Sequence, residues 1–373
     1  MNNLSRSLNN VHNAVNALIS RHLAQNSNNT QQLEQTVDPL TNPISLPTLN
    51  APISRLNKQP IGTFPLSSLP SYDQAQLLQN TQIVTLQNMP LPDNFDARQK
   101  WPYYISQAFD QIDCGSCWAF STAIVLSDRL RIQYQPPELM NHFNYQPSNA
   151  STFTYRVKNN ISPYQLVFCD LCGSSSLTPD LVPVCDFGCS GGVLANAFDY
   201  LIERGANTIL ATYPQPPVPD DPSTFICGFT NKQNIYKGKS KFVISQPNDS
   251  NEVIAQKIRE EVFTNGPVSA AFSVYQSFYD FFKPNPTGIS TSRIYTAAIQ
   301  PRGDVLEGAH AISIIGWGIE DNIRYWIIRN SWGSQWNGDG FFKIEWNWTP
   351  PNWVNNKGQQ TISILSEVWG IRV

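Results

Sequence analysis

One cysteine of this chain combines the features that a thiol nucleophile requires. Cys117 belongs to the segment Cys114-Gly115-Ser116-Cys117-Trp118 and opens a run whose apolar residues recur at helical spacing: Ala119, Ala123, Leu126 and Leu130. The charged residues of that run are expected to point away from its apolar face: Asp128, Arg129 and Arg131. A cysteine at a helix N-terminus lies at the positive end of the helix dipole, which favours the thiolate over the thiol. The pattern predicts a nucleophilic cysteine.

A thiol nucleophile needs a base, and the chain has 4 histidines that can supply one. His12 and His22 lie in an N-terminal segment of different character, and His142 lies in a polar loop context. His310 opens a strongly apolar segment of strand-like sequence. A histidine at such a position is more often a structural core residue. Because Cys117 requires a base, His310 is the best-placed candidate.

Two amides complete the candidate catalytic set. Asn330 can hold the His310 ring in one tautomer through a neutral side chain, and Trp332 can cover that hydrogen bond. The alternative for Asn330 is a buried turn asparagine. Gln111, six residues before Cys117, can donate its amide N–H to a developing oxyanion, with the backbone N–H of Cys117 as second donor. Taken alone, Gln111 would more often be a surface loop residue.

Composition divides the chain into an N-terminal segment, residues 1–90, and a folded domain, residues 91–373. Residues 3–25 carry apolar residues at spacings of four and three, which predict an amphipathic helix that packs on its own protein or forms a short coiled coil. Residues 26–90 are rich in Asn, Gln, Ser and Pro and predict an extended segment. Aromatic residues become frequent after Leu91.

The elements expected in the folded domain predict an α+β architecture. The helix of Cys117 and most cysteines fall in a helical part, roughly residues 110–213. Strand-like runs follow in a second part, roughly residues 214–373: Pro267–Tyr275, Ala311–Gly316, Tyr325–Asn330 and Gly340–Trp346. A cleft between the two parts would bring Cys117 to His310 and Asn330.

Charge and hydropathy exclude several classes of partner. A net charge of −3 without a basic stripe gives no case for nucleic acid or an anionic membrane surface. No apolar run reaches the roughly 18 residues of a membrane span. We therefore expect no nucleic-acid partner and no membrane span.

The 7 cysteines fit one free nucleophile and three disulfides. Disulfides indicate an oxidising environment, such as a lysosome-like compartment, the exterior or an assembled particle. Met1–Gln25 nevertheless lacks the basic start and apolar core of a secretory signal, so the compartment stays open. A structural zinc site is the alternative for four of these cysteines: Cys169, Cys172, Cys185 and Cys189.

The motifs of residues 91–373 resemble the papain family of cysteine proteases, and in particular its cathepsin B-like branch. The matching stretches occur in the family's order at residues 91–92, 95–98, 114–120, 127–129, 189–192, 266–268, 271–275, 310–311, 316–318, 330–333 and 366–368. The resemblance implies a two-lobed fold, with a helical lobe beside an antiparallel β-barrel-like lobe. It implies a cysteine endopeptidase made as a zymogen, in which residues 1–90 form an inhibitory propeptide with a Gly62-Thr63-Phe64 piece. Cleavage is expected near Met89–Pro92. The resemblance further implies protein or peptide substrates, a monomer, and no organic cofactor or metal.

The resemblance also assigns further residues. Gly191 and Gly192 would bind the substrate backbone, and Glu367 would lie at the base of the S2 pocket and accept Arg besides apolar P2 side chains. The alternative for Glu367 is a solvated glutamate. Disulfides are implied between three pairs: Cys114–Cys189, Cys169–Cys227 and Cys172–Cys185.

Several departures from the family pattern have consequences. Cys117 and His310 lie 193 residues apart, against roughly 130–150 in the family, which fits insertions at 135–163 and 214–224. Ile112 stands where the family has glycine. Residues 205–245 contain no histidine, so the dipeptide-trimming activity of cathepsin B is not expected. The competing hypothesis is a non-enzymatic binding protein whose retained N-terminal segment closes the cleft for good.

Overall fold

The structure, a computed structural model, describes residues 61–69, 71–135, 160–170, 186–208, 235–283, 293–350 and 361–373. All of them belong to one compact unit, Gln59–Val373. The helix expected at 3–25, the stretch 214–224 and most of 135–163 lie outside these residues. So do several side chains singled out above: His12, His22, His142, Cys172, Cys185 and Cys227.

The described α-helices are, in chain order, α1 Ser71–Gln79, α2 Ala97–Lys100, α3 Cys117–Tyr134, α4 Pro163–Cys169, α5 Leu194–Glu203, α6 Asn251–Asn265 and α7 Gln276–Phe281. Local signals fix several of their ends. Ser162 caps α4 by accepting the Gln165 N–H, and Ser250 caps α6 by accepting the Val253 N–H. Helix α6 ends at Gly266, whose φ of +99° suits a residue without a Cβ.

The described strands are β1 Gln82–Ile83, β2 Phe95–Asp96, β3 Ser240–Val243, β4 Val268–Tyr275, β5 Ile294–Tyr295, β6 Leu306–Glu320, β7 Ile323–Arg329, β8 Phe341–Glu345 and β9 Glu367–Arg372. The four strand-like runs of the sequence coincide with β4, β6, β7 and β8. Strand β6 is longer than its run and turns into β7 at Asp321 and Asn322, which both have positive φ, as a tight hairpin turn requires.

These strands form one open sheet, whereas the family resemblance implied a barrel-like lobe. Its order is β1-β3-β9-β4-β6-β7-β8-β5, with β2 paired to β6. Most neighbours are antiparallel, but β1 with β3 and β5 with β8 are parallel. The outermost strands β1 and β5 are two residues long and pair with inner strands rather than with each other.

Two large hydrophobic cores lie within the described residues, beside a small cluster of Phe109, Phe120 and Ile124. One is built by the sheet with α6, α7 and a cluster of aromatic side chains. The other packs α3, α4 and α5 together with residues of the sheet: Val243, Ala271, Ala311, Trp369 and Ile371. Helix α3 therefore lies between the helical part and the sheet, and all its residues from Cys117 to Arg131 are buried.

The charged residues of α3 are buried like its apolar ones, because the helix is enclosed on all sides. Asp128 is fully buried and pairs with Arg329 of β7 at 2.6 Å and with Arg131 at 3.3 Å. Arg129 pairs with Glu261 of α6 at 2.9 Å. A helix enclosed on all sides can keep charges only where partners are built in, and here neighbouring elements supply them.

Candidate active site

Cys117 is the first residue of α3 and has no exposed surface. Its Sγ accepts hydrogen bonds of 3.4 Å from two backbone N–H groups, one of Ala311 and one of Gly62. The N-terminus of the helix supplies further N–H groups, those of Trp118 and of Cys117 itself. The sulfur thus lies at a helix start and beside β6, where His310 immediately precedes Ala311.

His310 lies on β6 and is fully buried against an indole ring. Its Nε2 donates to Asn330 Oδ1 at 2.8 Å, because an amide oxygen can only accept. The Trp332 ring stacks on the imidazole, with centroids 4.7 Å apart and planes inclined by 27°. The other nitrogen, Nδ1, is buried without a hydrogen-bond partner. Asn330 and Trp332 therefore fix the ring with Nδ1 as the nitrogen left to exchange a proton.

Gln111 is buried between the loop of Asn330 and residues 114–116, which we call the nucleophile loop after the role predicted for Cys117. Its Nε2 donates to the Cys114 carbonyl at 2.8 Å, its Oε1 accepts from the Ser331 hydroxyl, and its backbone N–H donates to Ser331 O at 2.8 Å. The next residue, Ile112, has φ +54°, a conformation in which a β-branched residue is strained. The loop thus makes a left-handed turn at a residue that carries a branched side chain.

Burial suppresses the charge of both the thiol and the imidazole. Desolvation raises the pKa of Cys117 to about 11, although the N–H groups of Ala311 and Gly62 act in the opposite direction. Desolvation also lowers the pKa of His310 to about 4, although the hydrogen bond to Asn330 opposes this. The sequence predicted a thiolate favoured by the helix dipole. In this covered cleft burial outweighs the dipole, and the neutral pair is favoured.

The cover is a segment of the chain itself, Ile61–Leu66, which we call the cleft segment. Gly62 donates to Cys117 Sγ, Thr63 N–H donates to the Ala309 carbonyl at 3.2 Å, and Phe64 N–H donates to the Gly192 carbonyl at 2.8 Å. Gly192 N–H returns a bond of 3.1 Å to the Gly62 carbonyl. The segment runs parallel to residue 192 and antiparallel to residue 309. It thereby occupies the cleft as an extended peptide paired on both sides.

Gly191 leaves room for that peptide and Gly192 leaves room for α3, because neither carries a side chain. Gly191 has φ +122°, and a Cβ there would lie 2.6 Å from the Phe64 ring. A Cβ on Gly192 would lie 2.5 Å from the Trp118 ring. The first glycine faces the cleft segment, and the second allows the backbone to lie against α3.

Glu367, at the start of β9, is buried and contacts the cleft segment. Both carboxylate oxygens accept from the Leu66 N–H, at 3.1 and 3.0 Å. Burial raises the pKa of Glu367 to about 7, while the Leu66 N–H acts to lower it. The alternative of a solvated glutamate is therefore wrong.

The described cysteines other than Cys117 are in disulfides. Cys114 and Cys189 are bonded to each other, which ties the nucleophile loop to the loop of Gly191. Cys169 is also disulfide-bonded, to a partner outside the described residues. The alternative zinc site is therefore wrong, because two of its four thiols are oxidised. Among the described residues, no group of three or more His, Cys, Asp or Glu side chains is arranged to hold a metal ion.

The sequence did not predict the groups that hydrogen-bond to Cys117 and Gln111 and hold them in place. The Ala311 N–H on Cys117 and the Ser331 hydroxyl on Gln111 have no signal in the sequence beyond adjacency to His310 and Asn330. Buried Asp186, next to Gly192, was also missed. The charged residues near the end of the largely apolar run 117–131 were the one available sign of the Asp128–Arg329 pair.

The sequence matches the profile of the papain family of cysteine proteases over residues 91–142 and 148–361. The chain therefore belongs to the papain family. It is 32% identical over 273 residues to cathepsin B-like cysteine proteinase 3 of Caenorhabditis elegans, covering 68% of this chain and 62% of that protein. It is 31% identical over 280 residues to cathepsin B-like cysteine proteinase 4 of the same organism, covering 68% and 70%. The match thus spans somewhat under two thirds of the first relative's length.

Solved structures agree on the fold. The proCathepsin B S9 of Trypanosoma congolense superposes with a TM-score of 0.54 at 22% identity, covering 84% of this chain and 85% of that one. The digestive procathepsin L 3 of the Tenebrio molitor larval midgut gives a TM-score of 0.51 at 21% identity, covering 79% and 74%. The chain therefore has the papain-like fold.

Proposed function

We propose that this chain is the zymogen of a cysteine endopeptidase, with residues 1–90 as propeptide and 91–373 as peptidase domain. The observation that carries the proposal is the cleft segment. A peptide of the chain lies extended over Cys117 Sγ and pairs through its backbone with Gly192 and Ala309. Such a cleft binds polypeptide largely independently of side chains, and it places a backbone beside a thiol.

In the proposed mechanism, Cys117 attacks the scissile carbonyl and His310 transfers the proton. Nδ1 of His310 takes the thiol proton and later gives it to the leaving amine, which releases the first product and leaves an acyl-enzyme. Asn330 Oδ1 holds the Nε2–H, so the ring keeps the same orientation in both protonation states. In the second half of the reaction His310 activates water, which hydrolyses the thioester.

The oxyanion of the tetrahedral intermediate would be held by the side-chain amide of Gln111 and the backbone N–H of Cys117. Support comes from the position of Gln111, whose Nε2 is fixed on the Cys114 carbonyl within the nucleophile loop. Ser331 fixes the opposite end of the same amide. A preorganised donor of this kind stabilises developing charge without reorganising during the reaction.

We propose in addition that Glu367 selects the P2 side chain. Its carboxyl is buried beside the cleft and is held there by the Leu66 N–H of the cleft segment. A buried carboxylate is costly when it has no cation, and an arginine guanidinium supplies two parallel N–H donors for it. Arg is therefore accepted at P2 together with apolar side chains.

The test of the main proposal is hydrolysis of fluorogenic Arg-Arg and Phe-Arg peptide amides under mild reduction between about pH 5 and 7. The intact chain, the chain cleaved near Leu91 and a Cys117→Ala variant are compared. Hydrolysis is expected only after cleavage and never with the variant. If the cleaved chain hydrolyses neither peptide although Cys117 can still be alkylated, the hypothesis of a permanently closed binding protein is supported instead.

The P2 proposal is tested separately with Glu367→Gln in the cleaved protein. We expect the ratio of kcat/KM for Arg-Arg over Phe-Arg to fall by roughly tenfold or more, because a charged bidentate pair is lost. Glu252→Gln, at an exposed pair with Arg324, is the matched control and leaves the ratio unchanged. If Glu367→Gln leaves this kcat/KM ratio unchanged, Glu367 does not select the P2 side chain.

Endopeptidase rather than dipeptide-trimming action is the third part of the proposal, and it rests on residues 205–245, which contain no histidine. Two quenched peptides of the same sequence, one with a free C-terminus and one amidated, distinguish the two modes. We expect equal cleavage at internal bonds of both. Stepwise loss of dipeptides from the free C-terminus alone would contradict this part.

A further inference from the structure

The N-terminal segment meets the folded domain in a stretch that we call the junction strap, residues 82–92. It contains the expected cleavage site at Met89–Pro92. At its start, β1 pairs with β3 at the edge of the sheet. At its end, Trp317 Nε1 of β6 donates to the Pro92 carbonyl at 3.0 Å. Both ends of the junction strap are thus fixed to the sheet.

Between these ends the junction strap lies on helix α6, where the carboxylate of Glu260 binds its backbone. Oε2 accepts the Gln87 N–H at 2.8 Å, and Oε1 accepts the Met89 N–H at 2.8 Å. Gln256, one turn earlier on α6, donates from Nε2 to Glu260 Oε1 at 3.1 Å and to the Met89 carbonyl at 3.2 Å. Glu260 is 4% exposed, and a carboxylate withdrawn from water depends on such donors. One buried side chain therefore holds two backbone N–H groups of the strap.

The junction strap bends between those two N–H groups. In a straight strand, N–H groups two residues apart point the same way and lie about 6.6 Å apart, which is wider than the two oxygens of one carboxylate. Asn88, between them, has φ +56°, a left-handed conformation that Asn adopts more readily than most residues. The bend makes a small concavity of N–H groups, a backbone arrangement that binds anions. The chain is consequently not extended at Asn88.

The side chains of this stretch do not protect it from proteolysis, since Gln87, Asn88 and Pro90 are exposed. A protease, however, binds the backbone of its substrate. The cleft described above pairs an extended peptide through N–H and carbonyl groups on both sides. Susceptibility to cleavage accordingly follows from how the backbone is hydrogen-bonded rather than from where the side chains point. A junction that is bent and bonded to Glu260 must detach before a protease can bind it.

We propose that Glu260 is a clamp that keeps the junction at Met89–Pro92 uncleaved, and that detachment of Gln87 and Met89 from its carboxylate sets the rate of activation. The consequence for activation rests on the proposed function, since only a zymogen is activated by this cut. The clamp itself does not, because its hydrogen bonds are present in the intact chain. Glu260 is a positioning residue for the junction and has no part in the proposed mechanism of hydrolysis.

The first test measures hydrogen exchange of the Gln87 and Met89 amides in the intact chain with Glu260→Gln. A carboxamide keeps one acceptor oxygen and turns its NH2 group toward an N–H, so at least one of the two bonds is lost. We expect exchange of these amides to become about tenfold or more faster, because the strap opens more easily. The protected amides of β4, in the interior of the sheet, are expected to exchange at the unaltered rate.

Glu252→Gln is the matched control, because Glu252 lies on the same helix but is exposed and paired with Arg324. It is expected to leave exchange of the Gln87 and Met89 amides unchanged. If Glu260→Gln folds poorly, Gln87→Pro serves instead: it removes one N–H from the clamp, leaves the carboxylate in place and is expected to accelerate exchange at Met89. Unchanged exchange in the strap, or acceleration of equal size in the strap and in β4, would overturn the proposal.

The second test measures cleavage of the junction directly. Subtilisin, a protease of broad specificity, is added to the intact Cys117→Ala chain, so that all cutting comes from the added enzyme. Mass spectrometry follows the chains that begin at residues 87–92. We expect such chains to form about tenfold or more faster with Glu260→Gln than with Glu260 intact or with Glu252→Gln, because cleavage follows the population of the detached strap. Equal rates for the three proteins would contradict the clamp.

A third readout separates this inference from the proposed function. In chains that retain Cys117, hydrolysis of the Phe-Arg peptide amide is expected to appear about tenfold sooner with Glu260→Gln after subtilisin is added, with the Cys117→Ala chain as background. The kcat/KM of the fully cleaved proteins is expected to be the same. If exchange and cleavage respond as expected but no cleaved protein hydrolyses peptides, the proposed function fails and the clamp stands. If peptides are hydrolysed but the Gln87 and Met89 amides do not respond to Glu260→Gln, this inference alone fails.

Discussion

The Cys117 thiol and the His310 imidazole lie in a cleft that the chain itself covers, and the cover changes the charge of both groups. A helix N-terminus and several N–H groups favour the thiolate, yet loss of water opposes it more strongly. The imidazole is likewise kept neutral. Removing the cleft segment readmits water and restores the conditions in which a charged pair can form. The covered state is therefore blocked both sterically and electrostatically.

The first prediction concerns the reactivity of Cys117 in the intact chain. Because its pKa is raised to about 11, alkylation by iodoacetamide at pH 7 should be about 100-fold or more slower than that of a free thiol with pKa near 8.5. The rate should still be rising above pH 9. Mass spectrometry of the peptide that carries Cys117 gives the rate, with glutathione as reference. A plateau below pH 7 would show that the covered thiol is already ionised.

The second prediction concerns the strained loop after Gln111. Ile112→Asn and Ile112→Val both shorten the side chain, but only Asn tolerates φ +54° readily. Asn is therefore expected to be more stable than Val by about 1 kcal/mol, the usual cost of a left-handed conformation for a residue with a Cβ. Urea unfolding of the two variants measures the difference. Equal midpoints would mean that the loop relaxes without strain.

At the scale of elements, the cleft segment behaves like an extra strand inserted between the sheet and the loop of Gly192. Its backbone forms hydrogen bonds with Ala309 on one side and with Gly192 on the other. At the far end the Leu66 N–H donates to the Glu367 carboxylate. Phe64 packs edge-on against Phe187, with ring centroids 6.0 Å apart. The fit depends on Gly62, where a Cβ would overlap the Gly115 carbonyl.

Gly62→Ala is accordingly predicted to loosen the cleft segment without unfolding the domain. The methyl group meets backbone rather than a movable side chain, so the segment must shift away from Cys117. Alkylation of Cys117 in the intact variant should accelerate about tenfold or more, since each 1.4 kcal/mol lost by the segment changes its occupancy tenfold. Ser67→Ala, at an exposed position of the same region, is the control and should react as slowly as the unaltered chain. Equal rates of Cys117 alkylation in the two variants would show that the close approach of Gly62 to Gly115 does not hold the cleft segment in place.

At the scale of the whole molecule, buried ion pairs fix α3 against the sheet and thereby bring Cys117 to His310 and Asn330. Asp128 accepts from Arg329, the residue before Asn330, and from the backbone and hydroxyl of Ser106. The pair joins residues 201 positions apart in sequence. The charged groups of α3 thus specify how the helical part is placed on the sheet.

Asp128→Ala is predicted to destabilise the protein by about 3 to 5 kcal/mol, because Arg329 and Arg131 are left buried with an uncompensated charge. Glu252→Ala removes an exposed pair with Arg324 and should cost less than about 1 kcal/mol. Thermal and urea unfolding of both variants provides the comparison. Similar losses from the two would mean that the buried pair does not hold α3 in place.

Much of the architecture could be predicted from local patterns. The runs at 267–275, 311–316, 325–330 and 340–346 contain β-branched and aromatic residues in short apolar stretches, and the sheet contains strands there. The helix from Cys117 follows from apolar spacing and begins at that residue. The open sheet could not be predicted, because closure depends on which edge strands pair, and those strands are two residues long.

The sequence by itself determined the residue types that can do the chemistry, the order in which they occur and the family to which the chain belongs. Those properties reside in short contiguous motifs, which need no partner from elsewhere in the chain. The tertiary structure alone decided the rest: that Asp128 is buried, that the cleft segment covers Cys117, and that Glu367 contacts Leu66. Burial and charge depend on atoms distant in sequence, so no local pattern encodes them.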